Sequence, residues 1–151
     1  MYHCVTYRSG DVNRIMCRSI NKKQKEIIKE FSNFTEWFQM YQHIISLGRN
    51  IHLMDEKNEK DMLPGCQSQV WIKGSIQNGK MWYQAESDSL ITKGILSLLL
   101  RIYNHQTPLD IVDSDLYFTE EIGLQTHLSP ARANGLQSMI NHMKTIAKSY
   151  L

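Results

Sequence analysis

"QVWIKGSIQNGKMWYQAES", residues 69–87, is the stretch of sequence that decides the fold. In its first half, apolar Val70 and Ile72 alternate with other side chains, a period of two that is typical of a β-strand. Asn78 and Gly79 follow, and this pair is the strongest short signal for a tight hairpin turn. Residues 80–87 supply the return strand. The stretch therefore predicts an antiparallel β-hairpin.

The segments before the hairpin have the spacing of amphipathic helices. Apolar residues three and four positions apart predict one helix from Lys22 and a second that follows an N-cap at Thr35 and ends at Gly48. Residues 50–65 are polar, acidic and without a period, so they predict a loop. Residues 50–62 of that loop are also the candidate for a third strand.

The segments after the hairpin also predict helices. Residues 88–106 are apolar nearly all round and predict a central buried helix, whose Gly94 indicates the close approach of another backbone. Thr107-Pro108 and the Ser-Pro pair at 129–130 are well-formed helix starts. We therefore expect an α+β fold, with helices on both sides of a small antiparallel sheet. Because a lone hairpin is marginally stable, it needs a third strand or a helical cover.

Length and charge restrict the protein class. The 151 residues fit one domain, which we place at 22–151, and residues 1–21 are expected to be a disordered or non-essential extension. The 17 basic and 15 acidic residues are too evenly balanced to indicate nucleic acid or an anionic membrane as a partner. No apolar run reaches the length of a membrane span.

The three cysteines are Cys4, Cys17 and Cys66. Their odd number and the absence of a C-x-x-C pair argue against a disulfide framework or a zinc knuckle. Free thiols fit a reducing, cytoplasmic compartment. Residues 1–21 are basic and poor in acidic residues, so an organelle-targeting segment is the alternative.

Cys66 lies where a Pro-Gly turn gives way to the first strand. A thiol on a loop tip suits covalent chemistry, whereas a buried structural thiol is the commonest fate of a free cysteine. No histidine lies within ten residues of Cys66, so no Cys-His pair is readable. Position alone leaves the reactive and structural roles equally open.

Four stretches resemble the SufE family in their order and spacing: "PGCQSQVWI" (64–72), "ESDSLITKG" (86–94), "TPLDIV" (107–112) and "HLSPARANGLQSM" (127–139). The helix "WFQMYQHIISLGR" (37–49) resembles the segment before that family's loop. The resemblance covers about residues 22–147. It implies the α+β fold that this family shares with the IscU iron-sulfur scaffolds.

The resemblance implies that Cys66 accepts sulfur from a SufS-type cysteine desulfurase, becomes a persulfide and passes the sulfur to a SufBCD-type scaffold complex. The protein would stimulate the desulfurase as a sulfurtransferase-like carrier without independent turnover, as a monomer or a homodimer. It would carry no cofactor, since pyridoxal phosphate belongs to the desulfurase. The residues implied to position the loop or contact the partner are Gln67, Ser68, Gln69, Asp88 and Arg132. Asp88 also suits a helix N-terminus, and Arg132 a surface charge in a first helical turn.

Two other functions remain open from the sequence. An IscU-type iron-sulfur or metal scaffold needs three or four converging cysteine or histidine ligands, and the domain contains one cysteine. A thiol redox protein would use Cys17 as the resolving cysteine. This requires Cys17 within disulfide reach of Cys66, about 6 Å between Cα atoms.

Overall fold

The predicted hairpin forms in the computed structural model, which describes residues 11–49, 51, 54 and 56–151, with the backbone alone for residues 11–17. Strand β1 (Val70–Gln77) pairs antiparallel with β2 (Lys80–Ser87), with Val70 opposite Ser87. Asn78 and Gly79 both have positive φ, 53° and 77°, as a type I′ turn requires. The hairpin prediction is confirmed.

Seven α-helices surround this hairpin in the described part of the chain. They are α1 (Asp11–Phe31), α2 (Trp37–Gly48), α3 (Leu90–Tyr103), α4 (Pro108–Asp113), α5 (Phe118–Glu121), α6 (Leu124–His127) and α7 (Pro130–Lys148). A short 3-10 turn, Glu59–Asp61, precedes the hairpin. None of the helices described is both long and apolar enough to cross a bilayer. The α+β class is confirmed.

The predicted starts of α4 and α7 are confirmed by their caps. The hydroxyls of Thr107 and Ser129 accept the backbone N–H groups of Asp110 and Arg132. At α2 the prediction is wrong, because the N-cap is Glu36 rather than Thr35. The Thr35 N–H instead donates to the side-chain oxygen of Gln39, a residue in the first turn of α2.

Helix α3 is the centre of the core, as its apolar composition predicted. Nine of its fourteen residues are buried. Helix α2 crosses it at Gly94, where a Cβ would overlap the carbonyl oxygen of Ile44. The close approach predicted at Gly94 is therefore confirmed.

Helices supply the cover that a two-stranded sheet needs. Ile72, Tyr83 and Ala85 face the core, where α3 and α7 pack, while the opposite face carries half-exposed side chains such as Trp82. On that opposite face the buried Glu86 pairs with Lys93 of α3. Among the described residues of 50–62, Met62 makes a single bridge to Trp71 and no third strand forms.

Helix α1 begins before the predicted domain boundary. It starts at Asp11 rather than Lys22, and the side chain of Ile20 is fully buried in the core. The hydroxyl of Ser19 accepts a hydrogen bond from Gln106. A boundary at residue 21 therefore cuts a helix whose inner face packs on the domain. Residues 1–10, including Cys4, lie outside the described residues.

Candidate functional site

The loop that carries Cys66 spans residues 64–69 and is closed at its base. The Leu63 N–H donates to the Val70 carbonyl oxygen at 2.8 Å, next to the bridge between Met62 and Trp71. Gly65 has a φ of +83°, a left-handed conformation that favours glycine. The Pro-Gly turn thus presents Cys66 at the tip of a short loop with a fixed base.

Asp88 anchors the far side of this loop. Its Oδ1 accepts the Gln69 N–H at 3.0 Å, and the neighbouring Ser87 hydroxyl donates to the Gln69 carbonyl oxygen at 2.8 Å. These bonds join the end of the loop to the segment that leads from β2 into α3. The hairpin register therefore determines where the loop lies, since it brings residue 88 opposite residue 69.

The Cys66 sulfur points towards helix α7. A Cβ built on Gly135 would lie 3.7 Å from the Cys66 Sγ. Beside them is a small cavity of about 20 Å³, which is room for about one water-sized atom. The cavity is lined by Cys66, Gln67, Ser68, Val70, Thr92, Ile95, Ala131, Arg132, Gly135 and Met139.

Burial raises the pKa of the Cys66 thiol above its ordinary value. The cause is desolvation, which penalises the charged thiolate. The protonated form of the thiol is therefore favoured while the loop lies against α7. A thiolate becomes easier to form when the sulfur enters water.

Arg132 lines the same cavity, and its guanidinium donates hydrogen bonds to helix α3. Its Nη1 donates to the hydroxyls of Ser89 at 3.1 Å and Thr92 at 3.5 Å, which lie at the N-cap and in the first turn of α3. These bonds join the start of α7 to the start of α3. The pKa of the Cys66 thiol is raised, not lowered, beside this guanidinium.

The other predicted residues lie around the same loop. Gln67 and Gln69 are exposed and Ser68 is half-buried. Gln69 contributes its backbone to the Asp88 anchor, while Gln67 and Ser68 line the cavity. The structure thus brings all six predicted residues together at one site.

Sequence reasoning missed Gly135, a residue of α7 that lies beside the sulfur. A glycine inside a helical pattern indicates a close approach, the signal that had found Gly94. The same signal was present in "ARANGLQ", residues 131–137.

The scaffold alternative needs a set of ligands. No group of three histidine, cysteine or acidic side chains converges to hold a metal ion within the part of the chain that the structure describes. The redox alternative concerns Cys17, whose backbone lies in α1 and whose side chain is outside the described set. That alternative stays a prediction.

Residues 25–147 match the model of the SufE family, a domain described as Fe-S metabolism associated. This range covers the hairpin, the loop and nearly all of α7. Cys66 is the one cysteine in it.

Curated relatives span most of the chain. A SufE-like protein of Synechocystis, named as uncharacterized, is 33% identical over 127 residues, covering 83% of this chain and 80% of its own. Another uncharacterized SufE-like protein, of Rhizobium meliloti, is 35% identical over 133 residues, covering 83% and 95%. The solution structure of a hypothetical protein from Thermus thermophilus superposes with a TM-score of 0.71 at 16% identity, covering 84% of this chain and 94% of that one. At that identity the superposition supports the fold alone.

Proposed function

This chain belongs to the SufE family of Fe-S metabolism associated domains, and on that premise we propose that it accepts persulfide sulfur from a cysteine desulfurase on Cys66. One observation carries the proposal. The sole cysteine of the family-matched region lies at a loop tip, with its sulfur beside a cavity of about 20 Å³. A structural thiol would need neither the loop nor the adjacent space.

The transfer is a thiol-persulfide exchange. The Cys66 thiolate attacks the outer sulfur of the persulfide on the desulfurase, and a new S–S bond forms at Cys66. The S–S bond on the desulfurase breaks, and its cysteine leaves as a thiolate. No external oxidant or reductant is needed, because one S–S bond replaces another.

Movement of the loop during transfer would expose the sulfur. The Cys66 sulfur is partly buried against α7 and its pKa is raised, so it is a poor nucleophile at rest. Docking of the desulfurase would lift the tip at Gly65 while the Leu63–Val70 and Asp88–Gln69 hydrogen bonds hold the base. Exposure would then return the thiol towards its ordinary acidity.

Removal of the persulfide frees the desulfurase for another cycle, so the protein would stimulate it without turning over substrate alone. We propose a SufS-type desulfurase as the donor and a SufBCD-type scaffold complex as the recipient, in the cytoplasm. Gln67, Ser68 and Arg132 are proposed to guide the loop or contact the donor. Asp88 and Gln69 are proposed to anchor the loop.

Intact-mass measurement tests the proposal. The protein is incubated with the desulfurase and L-cysteine, and we expect one added sulfur atom on wild type and on Cys17→Ser. Cys66→Ser should gain no sulfur and should lose the stimulation. Because Cys17→Ser removes the cysteine that a redox mechanism requires, it is the matched control.

Normal desulfurase stimulation by Cys66→Ser would contradict the proposal. Loss of stimulation in Cys17→Ser with retention of the added sulfur would instead favour the redox function.

A further inference from the structure

Gly135 is a buried residue in the interior of α7. Glycine within a helix destabilises it by about 0.5 to 1 kcal/mol relative to alanine. A glycine there calls for a physical reason, and the reason at Gly135 differs from the reason at Gly94, which is also buried inside a helix.

At Gly94 the reason is that the backbones of α2 and α3 pack directly against each other. A Cβ there would overlap the main chain of Ile44, so only glycine lets α2 and α3 approach. At Gly135 no backbone is close. Outside its own helix and chain neighbours, the one described atom within 4 Å of a built Cβ is the Cys66 Sγ, at 3.7 Å.

A distance of 3.7 Å is ordinary van der Waals contact, so an alanine at 135 would tolerate the thiol. It would not leave the same room for a second sulfur. An S–S bond is about 2.05 Å long, so an outer sulfur directed at α7 would lie well inside contact distance of that Cβ. The space that glycine leaves is therefore useful to a persulfide and unnecessary for a thiol.

We propose that Gly135 is a positioning residue, whose missing side chain leaves the space that receives the outer sulfur of the Cys66 persulfide. The inference rests on the proposed function, since it concerns the sulfur-loaded form of Cys66. The adjacent cavity of about 20 Å³ suits one such atom, and its apolar lining includes Val70, Ile95 and Met139. In this position the outer sulfur is shielded from small nucleophiles until the loop opens.

The test compares the persulfide with the thiol in Gly135→Ala. Inorganic polysulfide loads Cys66 without the desulfurase: the thiolate attacks a polysulfide sulfur and a shorter polysulfide leaves. Intact mass identifies the chain with one added sulfur. Cyanide then removes that sulfur as thiocyanate, because its carbon bonds to the outer sulfur while the S–S bond breaks and Cys66 leaves as a thiolate.

We expect cyanide to unload Gly135→Ala about tenfold faster than wild type, since overpacking by one methyl group disfavours the shielded position. Iodoacetamide should alkylate the unloaded thiol of both proteins at the same rate. Asn134→Ala, an exposed change on the same helix that also raises helix propensity, should match wild type in both assays. A melting temperature no lower than that of wild type confirms that Gly135→Ala folds.

Equal cyanide rates in wild type and Gly135→Ala would overturn the inference. If Gly135→Ala speeds both the reaction of the persulfide with cyanide and the reaction of the thiol with iodoacetamide, the inference is also overturned. That pattern indicates a loosened loop rather than lost space for sulfur. Failure of the desulfurase to load Cys66, with the Gly135 effect intact on the polysulfide-loaded protein, would reject the proposed donor and leave the positioning role standing.

Discussion

Cys66 shows at the residue scale how burial acts on a thiol at a loop tip. Its folded-state pKa is raised by burial, so the closed loop favours the protonated thiol. The resulting stabilisation of the closed loop is fully present below the ordinary thiol pKa and is lost as pH rises through the raised folded value. Alkaline conditions should therefore open the loop, and neutral conditions should keep it closed until a partner docks.

The Asp88 anchor gives a residue-scale prediction. Asp88→Ala removes the acceptor of the Gln69 N–H, so the loop should leave α7 more often. We expect Cys66 to alkylate roughly two to ten times faster at neutral pH, the range given by the net value of one hydrogen bond. The pH at which the alkylation rate reaches half its maximum should also fall towards the value for an ordinary thiol.

Asp88→Asn is the matched control for this experiment. It retains an oxygen acceptor and removes the charge, so alkylation should stay near the wild-type rate if the hydrogen bond is what holds the loop. An Asp88→Ala protein that alkylates no faster than wild type would show that Asp88 does not restrain Cys66.

At the scale of elements, the contact of α2 with α3 depends on the absence of a side chain at Gly94. The obstacle to any larger residue is the backbone of Ile44, which cannot rotate away as a side chain can. The two helices can accommodate a methyl group only by separating, and separation would open the core along α3.

Gly94→Ala is therefore expected to destabilise the protein by about 3 kcal/mol or more, measured as the free energy of unfolding in urea. Gly135→Ala is the control, since it makes the same change inside a helix without a backbone neighbour. It should be as stable as wild type or slightly more so. Equal stability of the two variants would contradict the helix-crossing argument.

At the scale of the whole molecule, α1 ties distant parts of the chain together. The side-chain oxygen of Gln24 accepts the N–H groups of Tyr117 and Phe118, and its amide donates to the Asp115 carbonyl oxygen. One buried glutamine thus holds the segment between α4 and α5 against α1. Ile20, Ile27 and Phe31 of the same helix complete the core.

Truncation measures the contribution of α1. A chain that begins at Lys22 loses the buried Ile20 and should be about 2 to 5 kcal/mol less stable in urea unfolding. A chain that begins at Asp11 keeps the whole described helix and is the control. If both chains unfold at the same urea concentration, the boundary at residue 21 is correct and Ile20 contributes nothing.

The sequence by itself determined the features that depend on neighbouring residues. The Asn78-Gly79 turn and the caps at Thr107 and Ser129 follow from local backbone chemistry, and the α+β class follows from the periods of two and 3.6. Gly94 was predictable because a glycine inside an apolar helix indicates that another backbone approaches closely. Cys66 stood out as the thiol on a loop, although position alone could not separate a reactive from a structural role.

Only the tertiary structure decided what surrounds Cys66. The contact with Gly135, the Asp88 anchor and the bonds of Arg132 to Ser89 and Thr92 join residues far apart in the chain. The start of α1 was missed because its first turns are polar and mixed in composition, while burial of Ile20 depends on helices that follow much later. Local patterns determine which elements form, whereas packing between distant elements determines that Cys66 is half-buried, that its thiol pKa is raised and that its sulfur lies beside a small cavity.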